Sequence, residues 1–325
     1  MQPAVCTLFE GHYHYGVAAL ANSLFRSGFR GSIYAGYRGS LPAWCSNSVE
    51  NKQFDWPGST TFKVAKDIQI HFLPLDTDYH LTNYKPDFML QLLSGPAADT
   101  EEIYYMDPDI VISVSWSFFK DWSACGVAVC EDLNSPLSQY HPRRMGWRNH
   151  YGKSNVVLNF KEDTYVNGGF VGLSKKNFGF LNTWRSLQEL MAPVIGGLNR
   201  SVIGGKKVPV ELKSQFTRFA PFAKTDQDAL NAAVEAWDGP ISYLDKTAMG
   251  FTQGVTIMPH SVGTKKPWQM KFLSRMLSGN QPRLVDKSYW KSVYSPIKVY
   301  PKSYVIWKLA TINCASFIGR FYSKN

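Results

Sequence analysis

The chain has no apolar run approaching the ~18 residues that a membrane-spanning helix needs, and its first residues carry no basic segment ahead of a hydrophobic stretch, so neither a transmembrane helix nor a secretory leader is expected. Its five cysteines (6, 45, 125, 130 and 314) include no C-x-x-C pair, which argues against a zinc site and for reduced thiols in a cytosolic protein. Internal repeats and low-complexity segments are missing too. Acidic residues nearly vanish toward the C-terminus: from Lys265 onward twelve Lys and Arg face one acid, Asp286. The net charge of +10 therefore resides in that last stretch, and the first 264 residues sum to −1. A near-neutral body with a basic end points to an anionic partner for the end. At 325 residues and 44% hydrophobic, the body is long enough for a large core.

What is present is a chain of alternating strand and helix signals. Strands are expected at 4–8, 32–37, 68–75, 103–106, 126–130, 166–173, 241–244 and 255–258, and helices at 16–26, 86–93, 175–191 and 225–237. That alternation argues for an α/β protein with a mostly parallel sheet. Two stretches rich in Gly, Pro, Asn and basic residues, 134–160 and 192–222, read as long binding loops or tolerated surface insertions.

Two constellations carry chemistry. The 103–106 strand ends in Asp107-Pro108-Asp109. A strand delivering two carboxylates to its C-terminal edge puts anionic oxygens where open α/β sheets bind ligands, and Pro108 stiffens the turn between them. Hard divalent cations take such carboxylates together with substrate phosphates. About one Asp-x-Asp arises by chance in a chain of this length, so the pair alone decides nothing. The second constellation, His260-Ser-Val-Gly263-Thr-Lys-Lys266-Pro-Trp268, adds an imidazole for a metal, a glycine for close backbone approach and a cation for a diphosphate.

Taken with Asn167-Gly168-Gly169 and the helix start Asp226-Gln227-Asp228, the H-x-x-G-x-x-K-P-W pattern resembles the family 8 glycosyltransferases, a likeness running in order over about 4–270. The resemblance implies a GT-A fold: a Rossmann-like sheet flanked by helices, bearing a retaining transferase that uses a nucleotide sugar, UDP-linked. It implies that Asp107, Asp109 and His260 bind Mn²⁺ (or Mg²⁺), that Gly263 and Lys266 hold the diphosphate, and that Leu8, Glu10 and Tyr13 contact the nucleoside. Asp132, Asn167, Asp226 and Gln227 would surround the donor sugar, with Gln227 under the anomeric carbon. Lys85 stands where many members place an Arg-bearing helix, as a base or phosphate contact. Plainer roles remain open: Asp226 and Asp228 also suit a first helical turn, and Tyr13 an ordinary loop. A nucleotidyltransferase and a non-catalytic nucleotide-sugar-binding scaffold are rival functions, though no Gly-rich basic loop follows the first strand.

The implied organisation is a catalytic domain over 1–279 and a basic, aromatic extension over 280–325. A helix from Tyr304 to Tyr322 would gather Trp307, Ala310, Cys314, Phe317, Ile318 and Phe321 on one side, with Ile312 spoiling the split. Such a segment suits an anionic membrane surface, and equally a helix packed on the body with its cations in solvent. The partners expected are the sugar donor, a glycan or lipid-linked acceptor and a lipid surface, but not nucleic acid, for which no motif is present. The expected location is cytoplasmic, peripheral at the membrane.

Overall fold

A computed structural model describes residues 2–201 and 219–321. In chain order the strands are β1 (Ala4–Glu10), β2 (Gly31–Arg38), β3 (Val49–Glu50), β4 (Thr60–Ala65), β5 (Ile68–Pro74), β6 (Glu102–Met106), β7 (Val127–Glu131), β8 (Val166–Ser174) and β9 (Ile241–Leu244). The longer helices are α1 (His14–Arg26), α2 (Lys85–Leu93), α3 (Trp116–Ala124), α4 (Pro142–Gly152), α5 (Phe180–Ile195), α6 (Thr225–Ala236), α7 (Phe272–Leu277), α8 (Leu284–Lys291) and α9 (Lys302–Ile318). One nine-stranded sheet runs in the order β3-β4-β5-β2-β1-β6-β8-β7-β9.

The expected α/β architecture is what forms. Parallel pairing joins β5, β2, β1 and β6, the run whose C-terminal edge carries the Asp-Pro-Asp turn. β8 then lies antiparallel between β6 and β7, so the sheet is mixed rather than mostly parallel. This inversion brings the start of β8 to the end of β6: Met106 pairs with Phe170, and the Asp107 N–H donates to the Gly169 carbonyl at 2.8 Å. Two expectations fail. The 134–160 stretch holds α4, and 255–258 forms no strand: Ile257 and Met258 both donate to the Ala248 carbonyl, and toward 110–113 the segment makes isolated bonds (Ser113 N–H to the Ile257 carbonyl, Val111 N–H to the Pro259 carbonyl) and one bridge, Ile110 to His260, but no ladder. Most of the other candidate loop, 202–218, lies outside the described residues.

Each sheet face carries a core. On one, Phe88 and Met89 of α2, Trp184 of α5 and Leu230 of α6 pack with Leu8, Tyr105 and Val171. On the other, Val17, Leu20 and Leu24 of α1 and Phe119 of α3 pack with Val5, Tyr104 and Phe170. A third cluster joins the C-terminal segment to the body, with Tyr289 and Trp290 of α8 and Val305, Ile312 and Ala315 of α9 around Ala19, Val111 and Phe272. Burying a residue such as Ile312 or Phe272 contributes roughly 1.5–3 kcal/mol. Polar contacts reinforce the docking: Asn22 of α1 donates to the carbonyls of Ser292 (2.7 Å) and Ile297 (2.9 Å) and accepts from the Ile297 N–H (2.7 Å).

α9 seats itself on the face that the sequence reading set aside. Ile312, which broke the apolar pattern, is the buried contact, and Trp307, Phe317 and Phe321 point outward, 53%, 60% and 75% exposed. Lys308 is buried instead of solvated, its amine about 5–6 Å from the ring centres of Phe272, Trp290, Tyr304 and Trp307, an arrangement in which ring quadrupoles offset the lost hydration. Burial holds its pKa below the usual lysine value. Tyr322 lies outside the described residues.

Candidate active site

The site is built where β6 ends. Strand alternation places Tyr105 and Asp107 on one side, and the Tyr105 hydroxyl donates to Asp107 Oδ1 at 2.9 Å. The turn at Pro108 brings Asp109 inward, where it is buried. The backbone bridge between Ile110 and His260 then fixes the second constellation against the first. His260 Nε2 lies 3.2 Å from Asp109 Oδ1 and 3.6 Å from Asp107 Oδ2. One atom from each of Asp107, Asp109 and His260 lies within 4.8 Å of the others, a grouping that could hold a metal ion. Two carboxylates and one imidazole suit a hard or borderline divalent cation. Gly169 lines this cradle with hydrogen alone: a Cβ there would come within 2.5 Å of His260 Cε1 and 3.0 Å of Asp107 Oδ2.

Two lysines border the acids. Lys266 reaches Asp109 Oδ2 at 2.6 Å and the Ser261 carbonyl at 2.7 Å. Burial alone would raise the Asp109 pKa, but His260 and Lys266 outweigh it and hold the carboxyl well below the usual range. Lys85, fully enclosed, donates to the Gly168 carbonyl at 2.7 Å and lies 3.3 Å from Asp226 and 3.4 Å from Asp107. Burial works against its charge, yet the two carboxylates leave its pKa above the usual lysine value. Asp226 itself is pushed up by burial, against the opposing pull of Lys85.

The first residues of β8 join the remaining candidates. Asn167 Nδ2 donates to Asp132 Oδ2 at 2.6 Å, and its Oδ1 accepts from the Gly169 N–H at 2.8 Å. The Gly168 N–H donates to Gln227 Oε1 at 3.2 Å. Asp132, Asn167, Asp226, Gln227, Lys85 and the metal-ligand candidates thus share one connected polar surface. Tyr13 attaches through Lys266, whose amine lies 5.7 Å from its ring centre, and through an edge contact with Trp268. Gly263 has φ +93°, a conformation glycine adopts without strain, and is exposed on the loop between His260 and Lys266. Glu10 pairs with Arg38 at 2.8 Å, and the Leu8 side chain is buried in the core, so neither side chain is tied to the acid cluster by a direct contact.

Sequence reasoning missed Tyr105 as the partner of Asp107. Its two-residue offset on a strand was the available signal. It also missed Gly16 of α1, where a Cβ would lie 2.0 Å from the Pro108 carbonyl oxygen. Nothing local marks that contact, because it is made by two segments about ninety residues apart.

No protein-family model and no curated protein matches the chain. Solved structures match in fold, and that fold is the GT-A architecture of glycosyltransferases. The galactosyltransferase LgtC, in complex with donor and acceptor sugar analogs, superposes with a TM-score of 0.51 at 14% identity over 94% of this chain and 100% of that one. An active-site mutant of LgtC gives 0.50 at 13%, covering 93% and 98%. The bifunctional glycosyltransferase WbbM gives 0.49 at 13% and covers 95% of this chain, which spans about half (51%) of the length of WbbM.

Proposed function

We propose that the protein is a metal-dependent, retaining glycosyltransferase that moves a hexose from a UDP-linked sugar to a glycan or lipid-linked acceptor, with 1–279 as catalytic domain. The observation that carries this reading is the Asp107–Asp109–His260 cluster at the C-terminal edge of β6, on a fold shared with a galactosyltransferase. Those three side chains would hold Mn²⁺ or Mg²⁺, which when bound offsets charge on a departing diphosphate. Gly263 lets the backbone approach that diphosphate, and Lys266, already directed at Asp109, supplies a further cation. Leu8 (by its backbone), Glu10 and Tyr13, at the end of β1 and just beyond, would meet the nucleoside. Asp132, Asn167, Asp226 and Gln227 would hold the sugar hydroxyls and the anomeric centre. Lys85 places a buried cation between Asp107 (3.4 Å) and Asp226 (3.3 Å), offsetting two carboxylates that the site brings close together. The Gln227 amide is a poor nucleophile, which favours attack from the face the leaving group departs.

The test is thermal shift against nucleotides and nucleotide sugars, with Mn²⁺ and with EDTA. A metal-dependent rise in Tm with UDP or one UDP-sugar is expected, since a ligand specific to the folded state stabilises by mass action. If no nucleotide shifts Tm, the reading fails.

No helix among the described residues is long and apolar enough to cross a membrane. The exposed Ile306, Trp307, Phe317 and Phe321 of the 280–325 extension, beside Lys302 and Arg320, support a cytosolic enzyme lying on an anionic lipid surface. Trp307→Ser is expected to cut co-sedimentation with phosphatidylglycerol vesicles several-fold, and unchanged co-sedimentation would remove this part of the proposal.

A further inference from the structure

A second polar cleft, of about 480 Å³, lies beside the His260–Lys266 loop. Its walls come from Val262–Lys265 of that loop, from Met270, Ser274 and Arg275 at α7, and from Ser278, Asn280 and Arg283 ahead of α8. Three of these side chains are cationic and none is acidic. The cations differ in how they are used. Arg283 is fully engaged: it donates to both oxygens of the buried Asp286 (3.0 and 3.1 Å), to the Val262 carbonyl (2.9 Å) and to Ser261 Oγ (3.0 Å). Its charge is matched, and it braces the loop. Arg275 is half-buried and donates to the Met270 thioether at 3.0 Å, a weak acceptor for a guanidinium. No carboxylate pairs with Arg275 or with the exposed Lys265 among the described residues. Adjacent lysines divide the work: Lys266 turns to Asp109, and Lys265 lines the cleft.

We infer that this cleft binds a phosphate group, held by the Arg275 fork and the Lys265 ammonium, with the Ser274 and Ser278 hydroxyls within the same walls. A guanidinium and an ammonium with no counter-acid among the described residues, around a concave surface that supplies hydroxyls, match a phosphate dianion or phosphodiester in charge and donor type. The cleft also adjoins the seat of α9: Gln281, next to Asn280, donates to the Gly319 carbonyl at 2.6 Å, and Lys308 reaches the carbonyl of Met270. A phosphate held here therefore sits between the metal-ligand loop and the helix with the outward aromatic face. The same chemistry would serve a lipid headgroup or a soluble phosphorylated ligand. The inference concerns binding and stands apart from transfer.

The test uses the full chain, with inorganic phosphate as one probe and vesicles of phosphatidylglycerol or phosphatidylcholine as the other. Wild type should gain Tm with millimolar phosphate in the presence of EDTA and bind phosphatidylglycerol over phosphatidylcholine. Lys265→Gln/Arg275→Gln should weaken phosphate binding by about tenfold or more, as expected for losing charge-assisted hydrogen bonds, whereas Lys63→Gln, the same kind of charge change on β4, should not. Arg275→Lys, which keeps the charge and loses the fork, guards against a variant that merely folds poorly, and should weaken binding less. If phosphatidylglycerol binding falls together with phosphate binding, the ligand is a lipid headgroup. If only phosphate binding falls, it is a soluble phosphorylated species. Phosphate protection that is equal in wild type and double variant overturns the inference. So does protection that disappears in Asp109→Ala, because it would then belong to the donor site.

Discussion

Asp109→Ala is expected to lower transfer by roughly three orders of magnitude, a loss of about 4 kcal/mol of transition-state stabilisation, and to abolish the Mn²⁺-dependent thermal shift with UDP. Asp109 is buried, with one oxygen toward His260 Nε2 and the other toward Lys266. Its removal leaves one carboxylate and one imidazole for a divalent cation, and it strands a buried ammonium. The second consequence alone can cost several kcal/mol of stability, so loss of activity could be confused with loss of fold. A paired variant separates the two. In Asp109→Ala/Lys266→Met the stranded charge is gone, so Tm should recover toward wild type while the metal-dependent shift stays absent. Transfer within tenfold of wild type in Asp109→Ala would show that the cluster is not the metal centre.

The parts of this site that were legible in the sequence are those whose chemistry is local. Two aspartates astride a proline at a strand end, and a histidine, glycine and lysine at fixed offsets, stand out by residue type and spacing, and the fold brings ligand atoms of the two aspartates and the histidine to within 4.8 Å of one another. What stayed hidden depends on where cations go. Polar content made α4 look like a loop, but Arg143 turns inward to ion-pair with Asp228 and to donate to Tyr165 at 2.8 Å, and Arg144 turns inward to Glu235. A buried arginine and a solvated one are spelled alike. α9 shows the same limit with an apolar face: six apolar residues on one side suggested the buried side, yet Ile312 with its small neighbour Ala315 fits the third core and the aromatics remain outside. Periodicity locates a stripe on a helix, and the shape of the receiving surface decides whether that stripe is covered. The strand expected at 255–258 failed for a related reason. Ile257 and Met258 share one acceptor, the Ala248 carbonyl, and the Ser113 N–H bonds the Ile257 carbonyl, so the apolar run bends at 257–258 instead of extending into a ladder.

Gly16→Ala should destabilise the protein by about 3 kcal/mol and should weaken metal binding, though residue 16 is not a metal-ligand candidate. The sign is what makes this informative. Ala exceeds Gly in helix propensity by about 1 kcal/mol, so the same replacement within a helix ordinarily stabilises, and Gly152→Ala at the end of α4, where a Cβ meets nothing within 4 Å, should do so. At Gly16 the new carbon would lie 2.0 Å from the Pro108 oxygen, 2.8 Å from its carbon and 3.1 Å from Trp268. The first two are backbone atoms of a proline-stiffened turn, which cannot rotate aside as a side chain can. Either α1 is pushed off the sheet, giving up contacts of Val17, Leu20 and Leu24, or the turn moves and Asp107 and Asp109 lose their separation. Circular dichroism with Mn²⁺ titration distinguishes these outcomes: lower Tm with intact metal affinity means that the helix yielded, and lower affinity means that the turn did. A Tm raised as in Gly152→Ala would show that α1 does not press on the Asp107-Pro108-Asp109 turn. The expected loss of affinity follows from the turn being held from both sides: by Gly16 of α1 on one, and on the other by Gly169 of β8, whose missing side chain leaves room for His260 and Asp107.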